Sequence, residues 1–313
     1  MGETSFAEEA RNHLKTLVPV HPDMQGFDSV SDFLTLFETA HFSLRFDAAT
    51  GSINRLVQKQ TGRNWATPDH LLGWIRYQTF SQSDYDRFLS QYLVRKPEWA
   101  ILDNCKPGIE QAGAESQWWQ PSLSGLFARE DADGYHFLLE IAMPQRCTTR
   151  YGCPRLFTVE VNLPKYEPAI HMTLQWFDKP ACRLPEALWF SFALAATDDQ
   201  GWLLEKMRQT VSPLDVVRNG NRKLHAVDRG VCYHEGEQEL WIETLDAPLV
   251  APGAPSLLDF NNTQPSMDQG VHFNLYNNVW GTNFPMWYEE DARFQFVIHS
   301  TVTSSDKCRN QNQ

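Results

Sequence analysis

The stretch His171-Met172-Thr173-Leu174-Gln175-Trp176 alternates polar and apolar side chains over six positions, and Phe294-Gln295-Phe296-Val297-Ile298 comes close to the same pattern near the C-terminal end. A period of two places every second side chain on one face, which suits a strand with one buried and one wetter side. Both lie within longer predicted strands, Ile170–Phe177 and Arg293–Ser300. Further strands are predicted at Tyr135–Ala142, Leu156–Leu163, Ala187–Leu194 and Leu240–Leu245, punctuated by Gly, Pro, Asn and Asp. Many short strands with few helices predict an all-β fold, a large β-sandwich, rather than alternating β and α units.

Upstream, the alternation starts at His41. Phe42, Leu44 and Phe46 form one strand, Asp47–Gly51 a turn, and Ser52–Val57 the returning strand, with a second turn at Thr61-Gly62. Tyr85, Phe88, Leu89 and Tyr92 fall at i, i+3, i+4 and i+7 after a Ser81–Asp84 start, which predicts an interrupting helix. The first forty residues predict a helical segment. Ser5 and Glu8 have capping-box spacing ahead of Phe6, Ala10, Leu14 and Leu17. A second short helix is predicted from Val30, Phe33, Leu34 and Phe37, capped by Asp28 or Ser29. The expected organisation is a helical segment over 1–40, a sandwich over 41–303 and a frayed polar tail over 304–313. Asn219-Gly220 predicts a hairpin turn, and the Pro-punctuated stretch Leu245–Gly253 a loop over the sheet edge.

Composition sets limits on partners. A net charge of −12 argues against a nucleic-acid partner, since such binding needs basic surface to displace counterions. No stretch approaches the roughly 18 apolar residues that span a bilayer, and the N-terminus has no apolar signal core, so a cytoplasmic protein is expected. Cys105, Cys147, Cys153, Cys182, Cys232 and Cys308 show no CxxC spacing and read as reduced thiols. HExxH pairs, Gly-rich phosphate loops and GxSxG are absent from the sequence, and no metal, cofactor or catalytic residue is expected from spacing.

The richest segment is Gly270–Trp287. His272, Tyr276, Asn277, Asn278, Trp280 and Asn283 crowd amides and aromatics into a short span. Asn is a poor strand residue because its amide competes for backbone hydrogen bonds. Two readings stand: a turn held by those amides, or a polar rim that binds sugar hydroxyls beside a stacking Trp280. Three further candidates are Glu186, as a buried carboxylate of raised pKa, and Arg222 and His225, as side chains facing a cleft. Against each stands an ion-paired or structural role.

Three segments together resemble a known family. The hairpin Leu44–Leu56, the segment RLPEALWFSF (Arg183–Phe192) and the segment LYNNVWGTNFP (Leu275–Pro285) look like domain of unknown function 5054, found in proteins resembling the retaining α-mannosidases of glycoside hydrolase family 38. The resemblance covers about residues 40 to 300 in the expected order. It implies a sandwich resembling galactose mutarotase, placed behind a catalytic domain and a helical bundle. It also implies that zinc and the nucleophile belong to the upstream portion, so none can be carried onto this chain. The expected role is carbohydrate-associated and not hydrolytic alone, with a possible carbohydrate ligand and a separate or missing catalytic domain as partner. A structural or interaction module, or a mutarotase-like enzyme pairing His225 or His272 with Glu186, are the alternatives. Retaining hydrolysis needs two carboxyl groups flanking the bond. The purified chain should therefore leave aryl α-mannosides intact with or without zinc; turnover that survives repurification and stops on adding chelator would contradict this reading.

Overall fold

The computed structural model describes residues 4–281 and 285–302. Its strands run antiparallel in two sheets. In chain order they are β1 (Asp28–Ser29), β2 (Phe37–Glu38), β3 (Phe42–Phe46), β4 (Ile53–Gln58), β5 (Leu72–Thr79), β6 (Gln117–Trp119), β7 (Ser122–Glu130), β8 (Gly134–Ala142), β9 (Leu156–Pro164) and β10 (Ala169–Trp176). They continue as β11 (Glu186–Phe192), β12 (Trp202–Lys206), β13 (Gln209–Val211), β14 (His225–Ala226), β15 (Gly230–Glu235), β16 (Gln238–Thr244), β17 (Leu249–Pro252), β18 (Val271–Asn277) and β19 (Ala292–Val302). Four helices interrupt: α1 (Ser5–Thr16), α2 (Gln82–Tyr92), α3 (Glu98–Asn104) and α4 (Gln145–Arg150).

One sheet has the order β1-β7-β8-β9-β10-β19-β16-β15-β12-β13; the other has β14-β17-β18-β11-β5-β4-β3-β2, with β6 added beside β5. The two alternating stretches that predict the fold pair with each other. Met172 stands opposite Phe296 and Leu174 opposite Phe294, in the middle of the ten-stranded sheet. Their inward side chains join those of Leu188, Phe190 and Phe192 from β11 in one core between the sheets. Trp65, Trp176 and Trp202 are fully buried there, as wide rings are needed to fill a layer about 10 Å thick.

A second, smaller core lies on the other face of the nine-stranded sheet. Ala187 and Trp189 of β11 and Ala251 of β17 meet Tyr85, Phe88 and Leu89 of α2. The predicted helix is therefore real and its stripe is buried against the sheet. Its start is fixed by Ser81, whose backbone N–H donates to Asp84 Oδ2 at 2.8 Å. The short helices α3 and α4 carry too few periodic positions to be read from sequence.

Three local expectations are corrected. Asp28–Ser29 and Phe37–Glu38 are short strands on β7 and β3, not a helix and its cap. Asp32 Oδ1 accepts from Leu34 N–H and turns the chain between them, while Val30, Phe33 and Phe37 pack into the main core. Helical spacing here reflects three anchors on a meandering strap. Asn219-Gly220 makes a turn, with Asn219 at φ 66° and Gly220 N–H donating to Val217 O, but the strands on either side pair elsewhere: β13 with β12, β14 with β17. Leu249–Pro252 is a strand inside the nine-stranded sheet rather than a loop over its edge; its proline falls at the strand's last residue.

Helix α1 forms as predicted, though Thr4 caps it, accepting from Ala7 N–H at 3.3 Å, one residue before the expected Ser5. Phe6 is 80% and Leu14 54% exposed, so the apolar side chains stay in water. A short helix without tertiary packing is marginal. Removing residues 1–17 should move the melting temperature by no more than about 2 °C, because surface losses stay near 0.5 kcal/mol. Amide exchange in α1 as slow as in β10 would contradict its loose attachment.

Candidate functional site

The chain enters β18 in register with β11, His272 opposite Ser191, then gains one residue: Trp189 faces Asn274 but Leu188 faces Tyr276. This bulge lets Leu275 and Tyr276 both enter the main core. The amides of the segment close the irregularity. Asn274 Nδ2 donates to Leu188 O at 3.2 Å and Tyr276 O at 3.3 Å, and Asn277 Nδ2 donates to Asn274 Oδ1 at 2.8 Å. Asn278 is buried; its Oδ1 accepts from Glu186 N–H and its Nδ2 donates to the carbonyls of Cys182 and Leu184. The amides are thus engaged by backbone and by one another. Asn283 lies outside the described residues.

Glu186 is completely buried, facing inward from the first residue of β11. Lys179 Nζ donates to its Oε1 at 2.8 Å and to Tyr288 O at 2.7 Å. Tyr77 hydroxyl donates to Oε2, and Tyr276 hydroxyl lies 3.5 Å from the same oxygen. Burial pushes the carboxyl up and Lys179 pulls it back. Both oxygens are consumed by this network, which closes one end of the sandwich.

His272 stands on the opposite face of the sheet from Glu186, beside Ser191 and away from the inward Phe273. Its Nε2–H donates to Gly253 O at 2.6 Å, leaving Nδ1 to accept from Ser191 Oγ at 2.8 Å, so the neutral ring is the one these partners hold. Burial, helped by the charge of Arg76, lowers its pKa to about 3. The two groups cannot share one anomeric centre from opposite faces. His225 is buried on β14 with Nδ1 3.3 Å from Lys206 Nζ; burial and then that lysine lower it to about 4. Arg222 donates to Val216 O and Gln264 Oε1 and so braces the preceding loop.

Trp280 has a different setting. It is only partly buried and lines a cleft of about 410 Å³ with Phe88, Tyr92 and Phe260. Ring centroids lie 5.4 Å apart for Phe88 and Trp280 and 5.0 Å for Tyr92 and Phe260. Asp103, Asn104, Asn221, Lys223 and Asp259 supply polar groups around these rings. The backbone of Trp280 is fixed on both sides. Tyr85 hydroxyl donates to Val279 O at 2.6 Å, and Gly281 N–H donates to Asp103 O at 3.2 Å. Gly281 has no room for a side chain, since a Cβ would fall 2.1 Å from Cys105 O. The far wall is tied to α2: Gln91 Oε1 accepts from Phe260 N–H, and Arg87 donates to Leu258 O.

Of the residues singled out from sequence, then, Trp280 alone lines this cleft; Arg222 is flanked by the lining residues Asn221 and Lys223. Tyr92 gave a weaker signal, and Phe260 and Asp103 gave none. The one available for Tyr92 was an aromatic at the end of a helical stripe, and it is 49% exposed. Among the described residues no group of three His, Cys, Asp or Glu side chains is arranged to hold a metal, and no helix is long and apolar enough to cross a membrane.

A family model described as domain of unknown function (DUF5054) matches residues 3–171, more than half of the chain. The chain belongs to that family. No curated protein matches it. Among solved structures, an α-mannosidase from Enterococcus faecalis is similar at 10% identity with a TM-score of 0.53, over 86% of this chain and 29% of the other. A glycosyl hydrolase family 38 protein from the same organism is similar at 10% identity and TM-score 0.51, over 88% and 31%. A galactose mutarotase-like protein from Clostridium acetobutylicum aligns at 8% identity and TM-score 0.46, over 88% and 98%. This DUF5054 chain therefore shares its fold with part of each of the first two structures and spans about three-tenths of their length.

The sign of one pH effect follows from His272. Its folded pKa lies below the usual 6.5, so the unfolded chain takes up a proton that the folded one refuses. Stability is full above about pH 6.5 and falls as pH drops from there towards 3, by about 1.4 kcal/mol per unit for this group. In urea titrations, His272→Gln should start less stable at pH 7 and show a correspondingly shallower decline between pH 6 and 4; a slope equal to the parent's would contradict it.

Proposed function

We propose that this protein is a carbohydrate-binding β-sandwich of a glycoside-hydrolase-like assembly, working beside a catalytic domain rather than cleaving a glycosidic bond itself. The observation that carries this reading is Trp280, partly open in an aromatic cleft with carboxylate and amide groups at its margin. Flat rings offer a face to the C–H side of a pyranose, and side chains that donate and accept suit its hydroxyls. Similarity to an α-mannosidase and to a glycosyl hydrolase family 38 protein makes a mannoside the first ligand to try. A reducing cytoplasm suits the chain, as its five described cysteines are free thiols.

Titration with mannose and mannobiose, read by Trp fluorescence with a lectin as control, should give saturable quenching. Trp280→Ala should abolish it while lowering stability by less than the roughly 3–5 kcal/mol that truncating a fully buried Trp costs. A flat response from the parent, or unchanged binding by the variant, would remove the cleft as a sugar site.

A further inference from the structure

Next to the Trp280 cleft the same face carries a second recess of about 390 Å³, and the two share Lys223, Ser256, Leu257 and Asp259. Gln78 of β5 and Trp118 of β6 form part of its wall. Arg76 precedes Gln78 by two residues on β5, so both project from the same face. Its guanidinium carbon lies 4.4 Å from the centroid of Trp118 and 4.7 Å from that of Trp74, packed between the two indoles. Trp118 itself is 39% exposed.

Among the described residues the Arg76 guanidinium forms neither an ion pair nor a hydrogen bond, although the chain carries 39 acidic against 27 basic side chains. The nearby His272 is already spent on Ser191 and Gly253. Burial lowers the pKa of Arg76 to about 10, far above neutrality, so it stays charged. The recess beside it is lined by the charged side chains of Arg87, Lys223 and Asp259, and Arg87 is paired with Asp84. An unpaired cation in a chain of net charge −12 is against the prevailing sign. A partly desolvated guanidinium packed against two rings keeps its N–H donors, which a carboxylate or phosphate oxygen pair can match.

We infer that Arg76, clipped between Trp74 and Trp118, is an anion-binding subsite, and that the carbohydrate recognised on this face carries a carboxylate or a phosphate. The sugar part of this inference rests on the reading of the Trp280 cleft; the anion part does not. Glucuronate and glucose 6-phosphate distinguish the two sources of negative charge, with glucose as the neutral match and inorganic phosphate as the bare anion. Binding to the full chain is followed by calorimetry and Trp fluorescence at two salt concentrations. At least one acidic sugar should bind about tenfold or more tightly than glucose, with affinity falling as salt rises. Arg76→Gln should erase that preference while leaving glucose binding as it was, and Arg76→Lys, which keeps the charge but not the fork, should retain part of it. Equal affinity for charged and neutral sugars, unaltered in Arg76→Gln, would overturn the subsite and leave the cleft standing. Phosphate binding lost in Arg76→Gln, with no neutral sugar bound, would support the subsite and remove the cleft. Silence from every ligand would overturn both.

Discussion

The contact between Lys179 and Glu186 sits where four segments converge. Both side chains are wholly buried, and they have no water to fall back on. Their attraction offsets the cost of desolvating two charges only because the remaining donors and acceptors are satisfied as well. Tyr77 and Tyr276 reach the carboxylate, and Tyr288 O and Pro180 O accept hydrogen bonds from the ammonium. Close by, Lys106 binds Arg183 O and Met286 O and is pushed down to about 8 by burial. The connection before β11 and the segment after β18 are thereby sewn to β5. Trp280 lies two residues after Asn278, which the same knot holds, so the cleft inherits its position from buried electrostatics.

The strands with one face on the core were legible because burial itself writes the period of two. Residues 171–176 show it without interruption and 294–298 break it only at Val297, and the two stretches pair with each other. Helix α2 was legible because four apolar residues at helical spacing follow a capping box. Residues 28–38 were misread because three anchors on an irregular strap imitate a helical stripe, and hydrogen bonds to β7 and β3 decide between them only after the chain has folded. Leu249–Pro252 was hidden by its prolines, which mark loops locally but are tolerated at a strand end.

The candidate site was legible in one residue of its lining. Trp280 stood out because it lies in an Asn-rich run, yet Asn274 and Asn277 serve a bulge and Asn278 ties down the connection before β11. The other walls come from α2, α3 and the loop through Phe260, each distant in sequence and each chosen by packing on the outer face of the sheet. Arg76 gave no sequence signal at all. An arginine in a strand is ordinary; what sets it apart is the presence of two indoles, a fact of tertiary arrangement.

The extra residue in β18 divides that strand into two phases. Before it, odd-numbered side chains enter the core; after it, the even-numbered Tyr276 does. Strands of this fold are therefore not interchangeable cassettes. A chimera that grafted a regular seven-residue strand in place of β18 would place His272 correctly and then send Tyr276 to the wrong side, away from Glu186. The graft would succeed only if Asn274 and the Leu188 carbonyl it caps travelled with it, so that recombination within the family is constrained to move β11 and β18 as a pair.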